Sequence, residues 1–262
     1  MSSFRNIGAI VEKEWKHYFG SPIAYVIIFV WTLLFGGFFY LMFNRFLVVS
    51  SDPSGMGMGA PPKMSLNQWV FEGVFHNMCV VALFLTPMLT MRLFAEEKRQ
   101  GTIELLGTCP ITNLEIVVGK FLGALGVFAL MLLVGLLNFV LVWYFAPTKP
   151  EWKPVLTGSL ALLLIGGCFI AVGTFISTLT KNQIVASGLT FGALLGCWLL
   201  GWMDDPSAGP LSRAIAYLGL VSHVEDLIRG VVDLKDVVFY LSFIGFGLFL
   251  AHESVESQRW RA

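Results

Sequence analysis

FLGALGVFALMLLVGLLNFVLVWYFA, residues 121–146, contains no charged side chain. A run of this length crosses the roughly 30 Å hydrocarbon core of a bilayer as one helix. Its far end, Trp143-Tyr144-Phe145, is an aromatic belt of the kind that settles at the membrane–water boundary. Working outward, residues 23–43 and 73–91 precede it as apolar stretches, and 155–179, 184–203 and 234–252 follow it. The last of these has the shortest uncharged run, 237–251, and needs Leu234 and a snorkelling Lys235 to reach across. Inside a bilayer every backbone polar group must be bonded internally, so these stretches are expected as helices. The expected fold is all-α: one membrane domain over 1–262 with six transmembrane helices.

Composition points the same way, with 56% hydrophobic and only 13% charged residues. Lys and Arg total 17 and balance 17 Asp and Glu, which leaves no basic excess to attract a nucleic acid. Cys79, Cys109, Cys168 and Cys197 show neither CxxC nor metal-ligand spacing and read as reduced, structural residues. The segment before the first apolar run is too long and too charged for a secretory signal core.

Between the second and third spans lies RLFAEEKRQGTIELLGTCPITNLEIVVGK, residues 92–120. Glu96, Glu97, Lys98 and Arg99 give an acid-then-base run, Gly101 breaks it, and Thr102 to Leu106 suit a short surface helix that Pro110 ends. Thr112 and Glu115 then stand three apart before an apolar run, the capping-box pattern of a new helix start. A mere connector would not need this order.

GTIELLGTCPIT followed by EIVVGKFLGAL resembles the first cytoplasmic loop of ABC-2 type permeases, the membrane subunits of a class of ATP-binding-cassette transporters. The SPIAYV entry to the first span and the closing RGVVDLKDVVFYLSFIGFGLFL segment most resemble the gliding-motility and nitrous-oxide-maturation branch. The resemblance implies a coupling helix over Thr102, Ile103, Glu104, Leu105, Leu106, Gly107, Thr108, Cys109 and Pro110, docked on a cytoplasmic ATPase. It also implies a second permease subunit, as a homodimer or a heterodimer. From the residues alone, a solvated surface loop is an equal reading of this segment.

Near the N-terminus, Phe4, Ile7, Val11, Trp15 and Tyr18 share one helical face over 4–19. Such a helix either lies in the membrane interface with Trp15 at the lipid boundary or packs on its own protein; the family carries an interfacial elbow helix at this place. Ser21-Pro22 fits the cap and first turn of the first span. Residues 44–72 read as a polar loop, and 204–233 as an external or re-entrant helical segment. Met56, Met58 and Met64 are either a soft-metal site or plain apolar contacts. His76 reads as a satisfied interface histidine rather than a ligand, since no second ligand is spaced with it. Gly188, Gly192 and Gly196 repeat every four residues, a stripe that lets a helix approach closely, within the chain or from a second subunit. Gly119 and Gly123 form a weaker case.

No span carries a charge away from its ends, which argues against proton- or sodium-coupled carriage. Gly119-Lys120 is followed by Phe121, so there is no phosphate-binding GxxxxGK[ST] loop. The chain is expected to be no enzyme and to hold no cofactor or metal, with ATP bound by a partner subunit. The function expected is a permease moving an unidentified substrate across the cytoplasmic membrane. One alternative is a subunit that transmits motion to a periplasmic partner without substrate passage; another is a non-transport scaffold. Lys and Arg counts favour both termini inside. Cysteines introduced at Ser54 and Ser207 should therefore react with an impermeant label on intact cells, and those at Ser2 and Ser257 only after permeabilisation. External reaction at Ser257 with Ser2 protected would break the even count of spans.

Overall fold

The structure, a computed structural model, describes residues 3–51, 66–102, 111–145, 149–201, 219–221 and 223–259. Among these the chain forms α1 (Ser3–Phe19), α2 (Pro22–Ser51), α3 (Glu72–Thr90), α4 (Ala95–Gln100), α5 (Asn113–Phe145), α6 (Trp152–Leu179), α7 (Gln183–Leu200), α8 (Val224–Ile228) and α9 (Leu234–Arg259). A π-helical turn, Asn67–Phe71, leads into α3. Six of these helices, α2, α3, α5, α6, α7 and α9, are long and apolar enough to cross a membrane. The fold is therefore all-α and polytopic, with an N-terminal helix and a short helix before the last span. Residues 103–110, the Met56, Met58 and Met64 group, and 204–218 lie outside the described residues.

Local sequence sets the helix starts. Ser21 Oγ accepts from the Ile23 amide at 3.4 Å with Pro22 at the first helical position. The Thr112 amide donates to Glu115 Oε2 at 3.0 Å, and the Glu115 amide donates to Thr112 Oγ1 at 3.3 Å; this is the reciprocal box that the spacing predicts. Asn182 Oδ1 caps α7 by accepting from Ile184 and Val185.

The helices run further than their uncharged cores. The first apolar stretch continues as helix to Ser51, because Phe46, Leu47, Val48 and Val49 prolong the apolar pattern beyond Arg45. The third begins at Asn113, so Lys120 sits two turns inside it. The last runs 26 residues, and its charged end extends it past the apolar stretch.

α6 is the central helix, packed against α3, α5, α7, α8 and α9. The most apolar windows of α3 and α6 are each 67% buried, against 17% for α7 and 22% for α2 and α9; the peripheral helices present their apolar faces outward. Phe139 is the hub of an aromatic cluster with Phe35, Phe39, Phe71 and Phe75, ring centroids 4.7–5.8 Å apart. Large rings need small neighbours. A Cβ at Gly158 of α6 would stand 2.6 Å from the Phe75 ring, and one at Gly135 of α5 2.7 Å from Phe35.

The glycine stripes exchange their expected weights. Among the described residues no atom lies within 4 Å of the Cβ position at Gly188, Gly192 or Gly196, so these glycines mediate no helix contact there. Gly119, Gly123 and Gly126 instead hold α1 against α5: a Cβ there would stand 2.7 Å from Ile10, 2.8 Å from Glu14 and 2.6 Å from Trp15. Accordingly Gly158→Leu should cost about 1–3 kcal/mol or more through overpacking, seen as a lowered melting temperature of the purified subunit in detergent. Gly192→Leu, equally bulky, should leave the isolated subunit's melting unchanged.

Candidate functional site

Lys120 is the centre of the site. Its side chain is 3% exposed, a place where an ammonium survives only if it is paired. Its Nζ lies 2.7 Å from Glu14 Oε1 of α1 and 3.0 Å from Glu97 Oε1 of α4. It also sits 5.2 Å from the centre of the Phe94 ring, near enough for a cation–π contribution. Lys13 Nζ reaches the same Glu97 oxygen at 2.9 Å. Burial works against the charge on Lys13, but the hydrogen bond and the charge of Glu97 outweigh it and raise its pKa above the ordinary lysine value. Two cations and two carboxylates thus close a neutral cluster between three helices.

The neighbouring carboxylate, Glu96, faces His17 Nε2 at 3.4 Å and Arg92 Nε at 3.8 Å. Arg92 in turn donates to Ser21 Oγ at 3.0 Å. α1 makes three further polar contacts: Asn6 Nδ2 to Glu115 Oε2 at 3.3 Å, Trp15 Nε1 to the Gly123 carbonyl at 3.1 Å, and Tyr18 Oη to the Leu89 carbonyl at 2.8 Å. Its buried residues are Ile10, Glu14 and Tyr18. Packing on its own protein accounts for those three, while Phe4, 88% exposed, and Trp15 keep the apolar face expected of a helix in the membrane interface. Trp15 is half covered by α5 and 41% exposed.

α6 and α9 complete the frame. α4 has no cap from its own N-terminal residue. Ser177 Oγ of α6 supplies one by accepting from the Phe94 and Ala95 amides at 3.0 and 3.1 Å, and donates to the Met91 carbonyl at 3.3 Å. Lys98 Nζ donates to the Thr178 carbonyl at the C-terminal end of α6, where a cation is favoured. Thr178 Oγ1 meets Ser254 Oγ of α9 at 2.8 Å. α4 ends at Gly101 in the left-handed region (φ 72°), with the Thr102 amide on the Glu97 carbonyl at 3.0 Å. Both stems of the predicted coupling segment, at Thr102 and at Thr112, are therefore pinned. Of the segment itself, Thr102 is described; Ile103, Glu104, Leu105, Leu106, Gly107, Thr108, Cys109 and Pro110 are not.

The opposite end of the bundle has its own polar features. His223 Nδ1 and Asp236 Oδ1 share a hydrogen bond of 2.7 Å, both side chains being buried. The His223 ring stacks on Phe239 at 4.1 Å, and Tyr240 Oη donates to the Leu220 carbonyl at 2.7 Å. Beside them, Trp69, Glu72, His76 and Asn77 face Glu225, Ile228 and Arg229 across an open cleft of about 370 Å³. His76 is exposed to that cleft.

Sequence reading missed Glu14, Lys120 and the His223–Asp236 pair as site residues. A signal for the first was present: Glu14 falls between Val11 and Tyr18 in the apolar stripe of α1, where an acid needs a partner. The second pair had none, because its members are brought together only by the turn between α8 and α9. Cys79, Cys168 and Cys197 are free.

Six apolar helices long enough to cross a bilayer, joined at one end by a buried ionic frame, define a multi-pass membrane protein. The chain belongs to the ABC-2 family of transporter proteins, whose sequence model matches residues 8–202, most of its length, from within α1 through the whole of α7. Members of that family are generally non-catalytic transport subunits that pair with a cytoplasmic ATPase and a second permease. No similar protein of curated function was found.

Lys120→Met should leave Glu14 and Glu97 sharing Lys13 alone, costing about 3–5 kcal/mol. Glu14→Leu combined with Lys120→Leu should recover much of that loss, because the desolvation cost leaves with the pair. Melting of the purified subunit checks both, and equal losses in the two variants would deny Lys120 its ionic role.

Proposed function

We propose that the chain is the permease subunit of an ABC-2 transporter, driven by ATP hydrolysed on a separate cytoplasmic subunit that docks on residues 102–110. The observation that carries this reading is the bracing of both stems of that segment, α4 by the Lys120 ion cluster and the Ser177 and Lys98 hydrogen bonds, and the start of α5 by the Thr112–Glu115 box. A force applied there is passed through Glu97 and Lys120 to α5, through Ser177 and Lys98 to α6, and through Glu14 to α1. A loop that was merely solvated would have no use for four anchored helices. Such a chain needs no ATP site, cofactor or metal of its own.

The α7 face that includes Gly188, Gly192 and Gly196 supports a second permease subunit packing there, since no described residue fills it and small residues let membrane helices approach closely. With both termini cytoplasmic, in the inner membrane, the 204–233 segment is external. The likeness to the gliding-motility and nitrous-oxide-maturation branch rests on the entry and closing segments quoted above. Transmission to a periplasmic partner is favoured by one feature, the pinning of α8 by His223–Asp236 and Tyr240–Leu220, which makes a fixed platform on the outer face. ATPase stimulation by a periplasmic protein alone would select that reading, and stimulation by a transported solute would select export.

Leu106→Asp tests the docking. An unpaired carboxylate forced into an apolar groove costs a few kcal/mol, or roughly a hundredfold in affinity. The variant should reach the membrane at normal level and fail to retain its ATPase in a pull-down, while Ser54→Asp in the outer loop retains it. Unchanged retention and coupling in Leu106→Asp would remove Leu106 from the interface.

A further inference from the structure

The cleft between the first turns of α3 and α8 is not used by the coupling frame. It lies at the opposite membrane surface: α3 has 19 residues and rises about 28 Å at 1.5 Å per residue, with the Lys120 cluster beyond its C-terminal end. The cleft therefore opens at headgroup depth, and Trp69 on its wall is a residue suited to that depth.

Its walls are built. A five-residue helix such as α8 has no stability of its own, so its position is set by tertiary contacts. Val224, Leu227 and Ile228 are buried against the bundle. Buried His223–Asp236 and Tyr240–Leu220 hydrogen bonds hold the preceding turn. Gly230, at φ 93°, turns the chain beside Pro154.

Its chemistry is that of a zwitterion binder. Glu72 and His76 stand one turn apart on the same face of α3. Neither makes a hydrogen bond or ion pair with another described residue, although the charge of Arg229 reaches Glu72. Arg229 is joined to Glu225 only at 3.5 Å, with both side chains more than half exposed. Such a surface pair is weak, so the guanidinium can exchange it for a phosphate, which it grips through two parallel donors. The Glu72 carboxylate is left for an ammonium group. A bare metal ion fits less well: among the described residues, the one group of three His, Cys, Asp or Glu ligand atoms within 4.8 Å is His252, Glu253 and Glu256, on α9. We propose that this cleft holds the headgroup of an aminophospholipid, its ammonium on Glu72 and its phosphate on Arg229, with Trp69 against its apolar side.

The test is native mass spectrometry of the full purified chain in detergent, titrated with phosphatidylethanolamine or phosphatidylglycerol of identical acyl chains. Phosphatidylethanolamine should bind about tenfold more tightly, the discrimination of one charge-assisted hydrogen bond. Glu72→Gln should erase that preference with the melting temperature unchanged. Arg229→Gln should weaken both lipids several-fold, and Arg45→Gln, an exposed cation on α2, should change neither. Equal binding of the two lipids by the wild type, or a preference that survives Glu72→Gln, would overturn the assignment. So would a zinc or calcium ion that binds the lipid-free chain and is lost on Glu72→Gln. No ATPase or transported solute enters the measurement, so its failure would leave the transport reading untouched.

Discussion

A single ammonium group, that of Lys120, is shared by two carboxylates from two other helices, and the cytoplasmic end of the proposed topology depends on it. Buried ion pairs contribute little net stability, because the desolvation of each ion offsets most of the attraction. What they fix is geometry. Glu14 and Glu97 must both lie within about 3 Å of Lys120 Nζ, so α1, α4 and α5 have one mutual arrangement. Apolar contacts between the same helices would tolerate sliding. Here sliding would strand a buried charge, and a frame that resists sliding is suited to passing force from a docked partner into the spans.

Much of this was legible in the sequence, for identifiable reasons. Spans are legible because a bilayer permits no unpaired backbone, which makes long apolar runs and helices nearly equivalent. The Thr112/Glu115 start was legible because a capping box is local, its partners being three residues apart. Contacts between distant segments were not. Glu14 and Lys120 are 106 residues apart, and nothing in either neighbourhood names the other. His223 and Asp236 illustrate the same limit over 13 residues, where the intervening turn decides the pairing. Helix ends were legible only in part. Charged residues mark where the apolar core stops, but a helix continues past that point as long as nothing breaks it, as α2 and α9 do.

The glycines teach a finer point. Regular spacing made the stripe in α7 the more conspicuous of the two, yet no described residue packs against it. The α5 glycines at 119, 123 and 126 are spaced by four and then three and face α1, about a hundred residues earlier in the chain. A pattern of small residues announces that close approach is possible, and leaves the identity of the approaching helix to topology.

The spans differ in length enough to matter to the bilayer. Beyond Lys120, α5 runs from Phe121 to Phe145, about 38 Å at the helical rise, against about 27 Å for the 18 residues of α7. A hydrocarbon layer roughly 30 Å thick accommodates the first by tilt and the second by thinning. The short span lies on the side of the molecule whose small-residue face no described residue covers. Lipid stretched or compressed there is under elastic strain, and strain of this kind is relieved when a second protein surface replaces the deformed lipid. The short helix thus makes the membrane itself a source of attraction for whatever packs on α7.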